Sequence, residues 1–165
     1  MSVLNVHERR IEAPPDAVGA LVDSLASEDD RVWPVRDWPR MRLDRGLTTG
    51  SAGGHGPIRY EVTGYEAGRR VSFRFTGPSG FHGHHELTAT PAGGGATVLR
   101  HTLALTPRGT ARLSWPLAIR WFHDALIEDA FDRVELTCTG ALPHPARWNP
   151  YVRLLRAGAA LARRR

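Results

Sequence analysis

The chain has 165 residues, of which 41% are apolar and 24% are charged, proportions typical of one soluble globular domain. No apolar run approaches the roughly 20 residues that span a bilayer, and the amino terminus lacks the apolar segment of a signal peptide, so we expect a cytoplasmic protein. The net charge is +5 and all 22 cationic side chains are arginine; the absence of lysine excludes Schiff-base and pyridoxal phosphate chemistry and lysine-containing phosphate loops.

The first quarter of the chain predicts a strand, a helix and a loop. Residues 3–13 alternate moderately, with Leu4 and Val6 facing one way and charged residues between them. A double proline then favours the start of a short amphipathic helix. Residues 28–40 contain two Trp-Pro pairs, a pattern too interrupted for a long helix. We therefore expect a short turn and loop there, with the tryptophans plugging an edge of the core.

Five further strand-like segments follow, each separated from the next by glycine or proline. They are residues 41–47, 56–65, 70–76, 82–90 and 97–106. With the first strand they predict an antiparallel sheet of about six to seven strands. Strand alternation assigns one set of side chains to the inner face of this sheet. This set comprises Ile58, Tyr60, Val62, Val71, Phe73, Phe75, His85, Leu87, Ala89, Leu99, His101, Leu103 and Leu105.

A long helix is predicted over residues 111–139, where apolar side chains recur three and four positions apart without an intervening glycine. The apolar stripe consists of Trp115, Ala118, Ile119, Phe122, Leu126, Ala130 and Val134. His123 falls on this stripe, whereas Asp124, Glu128 and Asp132 gather on the opposite side. The helix is therefore expected to lie across the sheet and to present a titratable ring to the interior. The lone Cys138 near its end is expected to be a packed, inert thiol.

Prolines break the chain after the long helix, and residues 151–165 predict a short basic helix. Its apolar side would contain Leu154, Leu155, Leu161 and Ala162. We divide the chain into a main folded domain, residues 1–142, and a basic tail, residues 143–165. The tail helix is expected to dock on its own domain, with weak peripheral contact to anionic membrane lipid as the alternative. No aromatic stacking platform accompanies the arginines, so no nucleic-acid partner is expected.

Four segments carry a resemblance to a known family: IEAPPDAV at residues 11–18, YEAGRRV at 65–71, GHHEL at 83–87 and GATVLRH at 95–101. Together with the order of the predicted elements, they resemble the START-like superfamily, also called the SRPBCC or polyketide cyclase/dehydrase and lipid transport group. The resemblance covers about residues 3–139. It implies an α+β helix-grip fold, in which a curved antiparallel sheet wraps around a long C-terminal helix.

The resemblance also implies a cavity between sheet and helix that accommodates hydrophobic ligands such as lipids, sterols or aromatic polyketides. Its ligand-binding wall would come from Tyr60, Phe73, Phe75, Leu87, Leu103, Ile119, Phe122 and Leu126, with His85, His101 and His123 as polar points. We predict a protein that binds a hydrophobic small molecule, lipid-like or aromatic polyketide-like, without a cofactor. The alternative is a polyketide cyclase, aromatase or dehydratase in which the three histidines are catalytic and perform acid-base chemistry.

His82, His84 and Glu86 alternate along one predicted strand and share a face, a spacing at which two histidines could ligate a metal. That face is predicted to be solvated. We therefore interpret these residues as an exposed histidine cluster and predict no metal site.

Overall fold

A seven-stranded antiparallel sheet and one long helix make up most of the structure, a computed structural model that describes residues 2–162. In chain order the elements are β1 (Val3–Ile11), α1 (Pro15–Asp23), β2 (Arg42–Leu43), β3 (Ala52–His55), β4 (Ile58–Glu66), β5 (Arg70–Gly77), β6 (Phe81–Pro91), β7 (Thr97–Pro107), α2 (Ala111–Ser114), a π-helical segment (Trp115–Ile119), α3 (Arg120–Thr139) and α4 (Pro150–Ala162). The strand order is β1-β7-β6-β5-β4-β3-β2, so the first strand pairs with the last. This is the predicted helix-grip fold.

The long helix crosses the inner face of the sheet and carries the core. Leu126, Ala130 and Val134 of α3 are buried in one cluster with the inward side chains of β4 and β5, including Val62 and Phe73. The predicted stripe on the helix and the predicted alternation along the strands are therefore confirmed. Each such apolar side chain stabilises the fold by about 1.5 to 3 kcal/mol relative to its exposed state.

The sequence predicted one continuous helix over residues 111–139. The structure divides this stretch into two α-helices with a π-helical segment between them. Trp115–Ile119 forms a π-helical turn between α2 and α3. Pro116 explains this departure, because proline has no N–H to donate and its ring would clash with the carbonyl oxygen of residue 112 in a regular α-helix. Gly140, with φ of 71°, ends α3 in a left-handed conformation.

The prediction for the early strands was wrong in its boundaries. The segment 41–47 contains only the two-residue β2. A separate strand, β3, lies in the interval between the predicted strands 41–47 and 56–65. Close packing explains why glycine occupies a strand here. A Cβ atom on Gly53 would lie 1.9 Å from the carbonyl oxygen of Arg42, which pairs beside it in β2.

The inner face of β1 is polar, because Asn5, His7 and Arg9 point toward α3. Leu4 and Val6 share the opposite face, as expected, but that face is exposed. The strand packs against the acidic flank of α3, where ion pairs take the place of apolar contacts. The apolar side chains that alternate along β1 therefore mark its exposed face, and the face that packs against α3 is polar.

Helix α4 lies against the rest of the domain, but not through the apolar side predicted for it. Leu154 and Leu161 are 69% and 64% exposed, whereas Val152 is buried and Ala159 borders the cavity described below. The predicted contributions of the Ala162 side chain and of Arg163, Arg164 and Arg165 lie outside the described residues. Among residues 2–162, no helix is both long enough and apolar enough to cross a bilayer.

Candidate ligand-binding site

A cavity of about 400 Å³ lies between the inner face of the sheet and α3. The loop from Trp33 to Met41 and helix α4 close its remaining sides. Ten of the eleven residues predicted from the sequence line it: Phe73, Phe75, His85, Leu87, His101, Leu103, Ile119, Phe122, His123 and Leu126. The wall is largely apolar and aromatic, with imidazole rings as the main polar groups.

Tyr60, the eleventh predicted residue, lies behind the wall. Its ring centroid is 5.1 Å from those of Phe73 and His85, which separate it from the cavity. The Tyr60 hydroxyl is buried with no hydrogen-bond partner in residues 2–162. Burial raises the pKa of Tyr60 above its usual value, so the phenol stays protonated. The Tyr60 ring therefore packs against His85 without lining the cavity itself.

Several wall residues were not among the predicted ligand-binding residues, although Trp115 lies on the predicted stripe of the long helix and Met41 in a predicted strand. They include Trp33, Trp38, Met41, His55, Phe81 and Trp115. The two Trp-Pro pairs were a usable signal, since they predicted that tryptophans close an edge of the core. No comparable signal marks His55, which follows two glycines in β3 and lies 4.7 Å, ring to ring, from Trp33.

The three predicted histidines form a row of rings across the cavity. His85 is stacked against Phe73 and Phe75, with ring centroids 4.8 and 5.0 Å away. Nε2 of His101 lies 3.3 Å from Nδ1 of His85, and the His101 ring lies 5.0 Å from that of His123. One nitrogen on each ring is buried without a hydrogen-bond partner in the described chain: Nε2 of His85, Nδ1 of His101 and Nε2 of His123.

The cavity histidines are held neutral by their surroundings. Burial lowers the pKa of His85 and of His101 well below the usual value, and the neighbouring His123 adds to the effect. Burial likewise lowers the pKa of His55 to about 4. At neutral pH each of these rings therefore offers one N–H donor and one nitrogen acceptor and carries no charge.

His123 connects the cavity to an ion-pair network on the other flank of α3. Its Nδ1 lies 3.4 Å from Oδ1 of Asp124, and the same oxygen lies 3.2 Å from Nε2 of His7. Nδ1 of His7 is 2.7 Å from Glu128, which also accepts a hydrogen bond from Arg9. Burial lowers the pKa of His7, but its hydrogen bonds with the two carboxylates outweigh burial and raise the pKa to about 9.

An arginine from α4 closes one end of the cavity. The Arg156 guanidinium lies over the rings of Trp38 and Trp148, at 4.5 and 4.0 Å from their centroids. Both indole N–H groups donate to Oδ2 of Asp129, at 2.7 and 2.9 Å. Arg156 also donates to the backbone oxygen of Asp37. This arrangement fixes α4 across the cavity.

The family described as polyketide cyclase / dehydrase and lipid transport matches residues 5–138. A search of curated proteins found no match. Among solved structures, CalU16 from Micromonospora echinospora aligns with a TM-score of 0.59 and 16% identity, over 98% of this chain and 86% of that chain. A protein from Thermobifida fusca, solved by solution NMR, aligns with a TM-score of 0.64 and 15% identity, over 88% of this chain and 99% of that chain.

A point mutant of norcoclaurine synthase from Thalictrum flavum, in complex with a transition-state analogue, aligns with a TM-score of 0.61 and 13% identity. That alignment covers 83% of this chain and 96% of the synthase chain. At such identities the similarities show a shared fold and nothing further.

Proposed function

We propose, since the chain belongs to the polyketide cyclase/dehydrase and lipid transport family, that it binds a hydrophobic small molecule in the cavity between sheet and α3. The volume of about 400 Å³ lies within the range of small-molecule pockets. Pockets of this kind combine an apolar wall with a few polar groups that orient the ligand. The wall of phenylalanine, tryptophan and leucine side chains supplies the first, and the histidines supply the second.

The observation that carries this proposal is the set of unpartnered nitrogens on His85, His101 and His123. A buried polar group without a partner destabilises a fold by about 1 to 3 kcal/mol. The three rings that carry these nitrogens all line the cavity, and the unpartnered nitrogens are explained if a ligand provides their partners. The ligand is then an apolar molecule that carries hydroxyl or carbonyl oxygens.

The spacing of the polar groups favours an aromatic polyketide-like ligand over an acyl-chain lipid. Neighbouring rings in the row from His85 to His123 lie 5.0 to 5.4 Å apart. An acyl lipid concentrates its oxygens at one end, whereas a fused aromatic ketone or phenol distributes them along a flat body at comparable spacing. The rings of Phe73 and Phe75, each stacked against His85, form an aromatic wall that suits such a planar ligand.

A pair of probes tests this proposal: 1,8-dihydroxyanthraquinone and anthracene, which has a similar planar ring system without oxygen atoms. Quenching of tryptophan fluorescence reports occupancy, because Trp33, Trp38 and Trp115 line the cavity. We expect the hydroxylated probe to bind about tenfold more tightly, as one or two net hydrogen bonds of about 1 kcal/mol would give. The variant His101→Leu should abolish most of that preference, while the exposed-site control His84→Leu should retain it. Equal affinity for both probes in the wild-type protein would refute the proposal.

Acid-base catalysis is the second candidate function, and the position of His123 favours it. Nδ1 of His123 lies 3.4 Å from Asp124, while Nε2 is buried without a partner in the described residues, on a ring that lines the cavity. In a cyclisation, such a base would remove a proton from a methylene carbon, which then bonds to a carbonyl carbon; proton return and loss of water complete the step. Incubation with a synthetic linear poly-β-ketone and mass spectrometry would detect the loss of water. Recovery of the unchanged compound at the rate seen without protein would leave binding as the function.

A further inference from the structure

Three side chains that commonly ligate metals lie together where β1 meets α3, and of the three only His123 also lines the cavity. One ligand atom from each of His7, His123 and Asp124 lies within 4.8 Å of the other two. Oδ1 of Asp124 is 3.2 Å from Nε2 of His7 and 3.4 Å from Nδ1 of His123. Tetrahedral zinc, with bonds of about 2.0 to 2.2 Å, separates its ligand atoms by roughly 3.3 to 3.5 Å. Two of the three separations are therefore close to those of a zinc site.

The surroundings of His7 match the usual support of a metal-binding histidine. Glu128 lies 2.7 Å from Nδ1 of His7, the nitrogen that points away from Asp124. Histidine ligands almost always donate their second N–H to a carboxylate, carbonyl or water, which fixes the ring and its tautomer. Arg9 holds Glu128 in turn through a hydrogen bond of 2.8 Å. The ring of His7 is thus oriented with Nε2 toward the other two ligands, and a metal at this point would displace the proton that Nε2 shares with Asp124.

Asn5 provides a further, independent observation at the same place. Its Nδ2 donates to Oδ1 of Asp124 at 2.9 Å, and its Oδ1 is buried with no partner in residues 2–162. Rotation of the amide by 180° exchanges the two atoms, and side-chain amides are commonly assigned by such hydrogen-bond arguments. The rotated carbonyl oxygen would take the place of Nδ2, 2.9 Å from Oδ1 of Asp124, the oxygen that lies within 3.4 Å of both histidines. A cation there would make this orientation favourable.

We propose that this junction binds Zn²⁺ through Nε2 of His7, Nδ1 of His123 and Oδ1 of Asp124, with the Asn5 carbonyl or a water as fourth ligand. Two imidazoles and one carboxylate suit zinc, whereas Mg²⁺ and Ca²⁺ prefer oxygen ligands throughout. Arg120 lies 3.4 Å from the other oxygen of Asp124, but its side chain is 57% exposed and has room to turn toward water. The site goes beyond ligand binding in the cavity, and His123 is the one proposed side-chain ligand among His7, His123 and Asp124 that also lines the cavity.

The test is calorimetric titration of chelator-treated protein with ZnSO4, compared across matched variants. We expect one Zn²⁺ per chain in the wild-type protein and at least about a tenfold loss of affinity in both His7→Gln and Asp124→Ala. The double variant His82→Ala/His84→Ala removes two exposed histidines of β6 and should bind Zn²⁺ as the wild type does. A Cys138→Ser variant controls for the single thiol and should also bind normally.

A second measurement uses the unmutated chain, so it stays decisive if a ligand variant fails to fold. Addition of Co²⁺ to the wild-type protein should give the intense visible absorption of four-coordinate cobalt, and Zn²⁺ should displace it. Absence of Zn²⁺ binding by the wild-type chain would overturn the proposal. So would affinity that survives in both ligand variants, or affinity lost only in the His82/His84 variant, which would place the metal on the exposed face of β6.

Discussion

The cavity histidines should make the protein less stable than it would be with an apolar wall. His85→Phe combined with His101→Leu removes two unpartnered nitrogens, each costing about 1 to 3 kcal/mol, and one histidine-histidine hydrogen bond worth about 0.5 to 1.5 kcal/mol. Phenylalanine preserves the stacking of His85 on Phe73 and Phe75, and the adjacent cavity can absorb its extra volume. We therefore expect the free energy of unfolding to rise by about 2 kcal/mol.

Urea unfolding at neutral pH, followed by tryptophan fluorescence, measures this change. For a chain of this length, 2 kcal/mol also corresponds to a rise in Tm of about 4 to 8 °C. Each single variant should gain less than half of the combined effect, because it leaves the partner ring without its hydrogen bond. His84→Leu, on the exposed face of β6, should change stability by less than about 0.5 kcal/mol. A double variant less stable than the wild type would show that the rings have structural partners and would refute the argument.

Three further predictions follow from burial and charge. His55→Phe should remove an acid sensitivity. Because burial lowers the pKa of His55 in the folded state to about 4, the unfolded chain binds the extra proton as the pH falls below 6.5. The free energy of unfolding of the wild type should therefore fall by about 2 kcal/mol relative to that of the variant between pH 7 and 4.5, as urea titrations would measure. Phe122→Ala should cost less than about 3 kcal/mol because the ring already borders a cavity, whereas the fully buried Leu99→Ala should cost about 3 to 4 kcal/mol; equal losses in thermal melts would contradict this. Arg156→Ala removes the cation that lies over the rings of Trp38 and Trp148 and should lower the free energy of unfolding by about 1 to 2 kcal/mol. The same variant should release 1,8-dihydroxyanthraquinone faster in stopped-flow fluorescence. An unchanged dissociation rate would show that α4 does not restrict access to the cavity.

The sequence predicted the fold because its main elements follow simple periodicities. Alternation along β4 to β7 placed His85 and His101 on the inner face, and the three-to-four spacing of α3 placed His123 on the buried stripe. Once the sheet and helix were assigned, the cavity wall followed from which faces meet. The wrapping of the sheet around the helix, the existence of a cavity and the class of ligand came from the resemblance.

What the sequence did not predict depends on contacts between polar groups distant in the chain. The ion pairs of His7 and Arg9 with α3 join residues about 120 positions apart, and no periodicity links them. Apolar patterning instead drew attention to Leu4 and Val6, on the exposed face of the same strand. His55 was missed for a related reason, since it belongs to a glycine-containing strand that resembles a turn until its close packing against β2 is known.

The position of Asp124 beside His123 determines which ligand oxygens the cavity can recognise. Without a metal, Nδ1 of His123 carries the ring proton and donates a hydrogen bond to Asp124. Nε2 of His123 is then an acceptor and suits a phenolic hydroxyl. With Zn²⁺ on Nδ1, the neutral ring must carry its proton on Nε2, which then suits a ketone. Occupancy of the proposed metal site would therefore shift the preference of the cavity from hydroxyl toward carbonyl groups, without any change in the residues that line it.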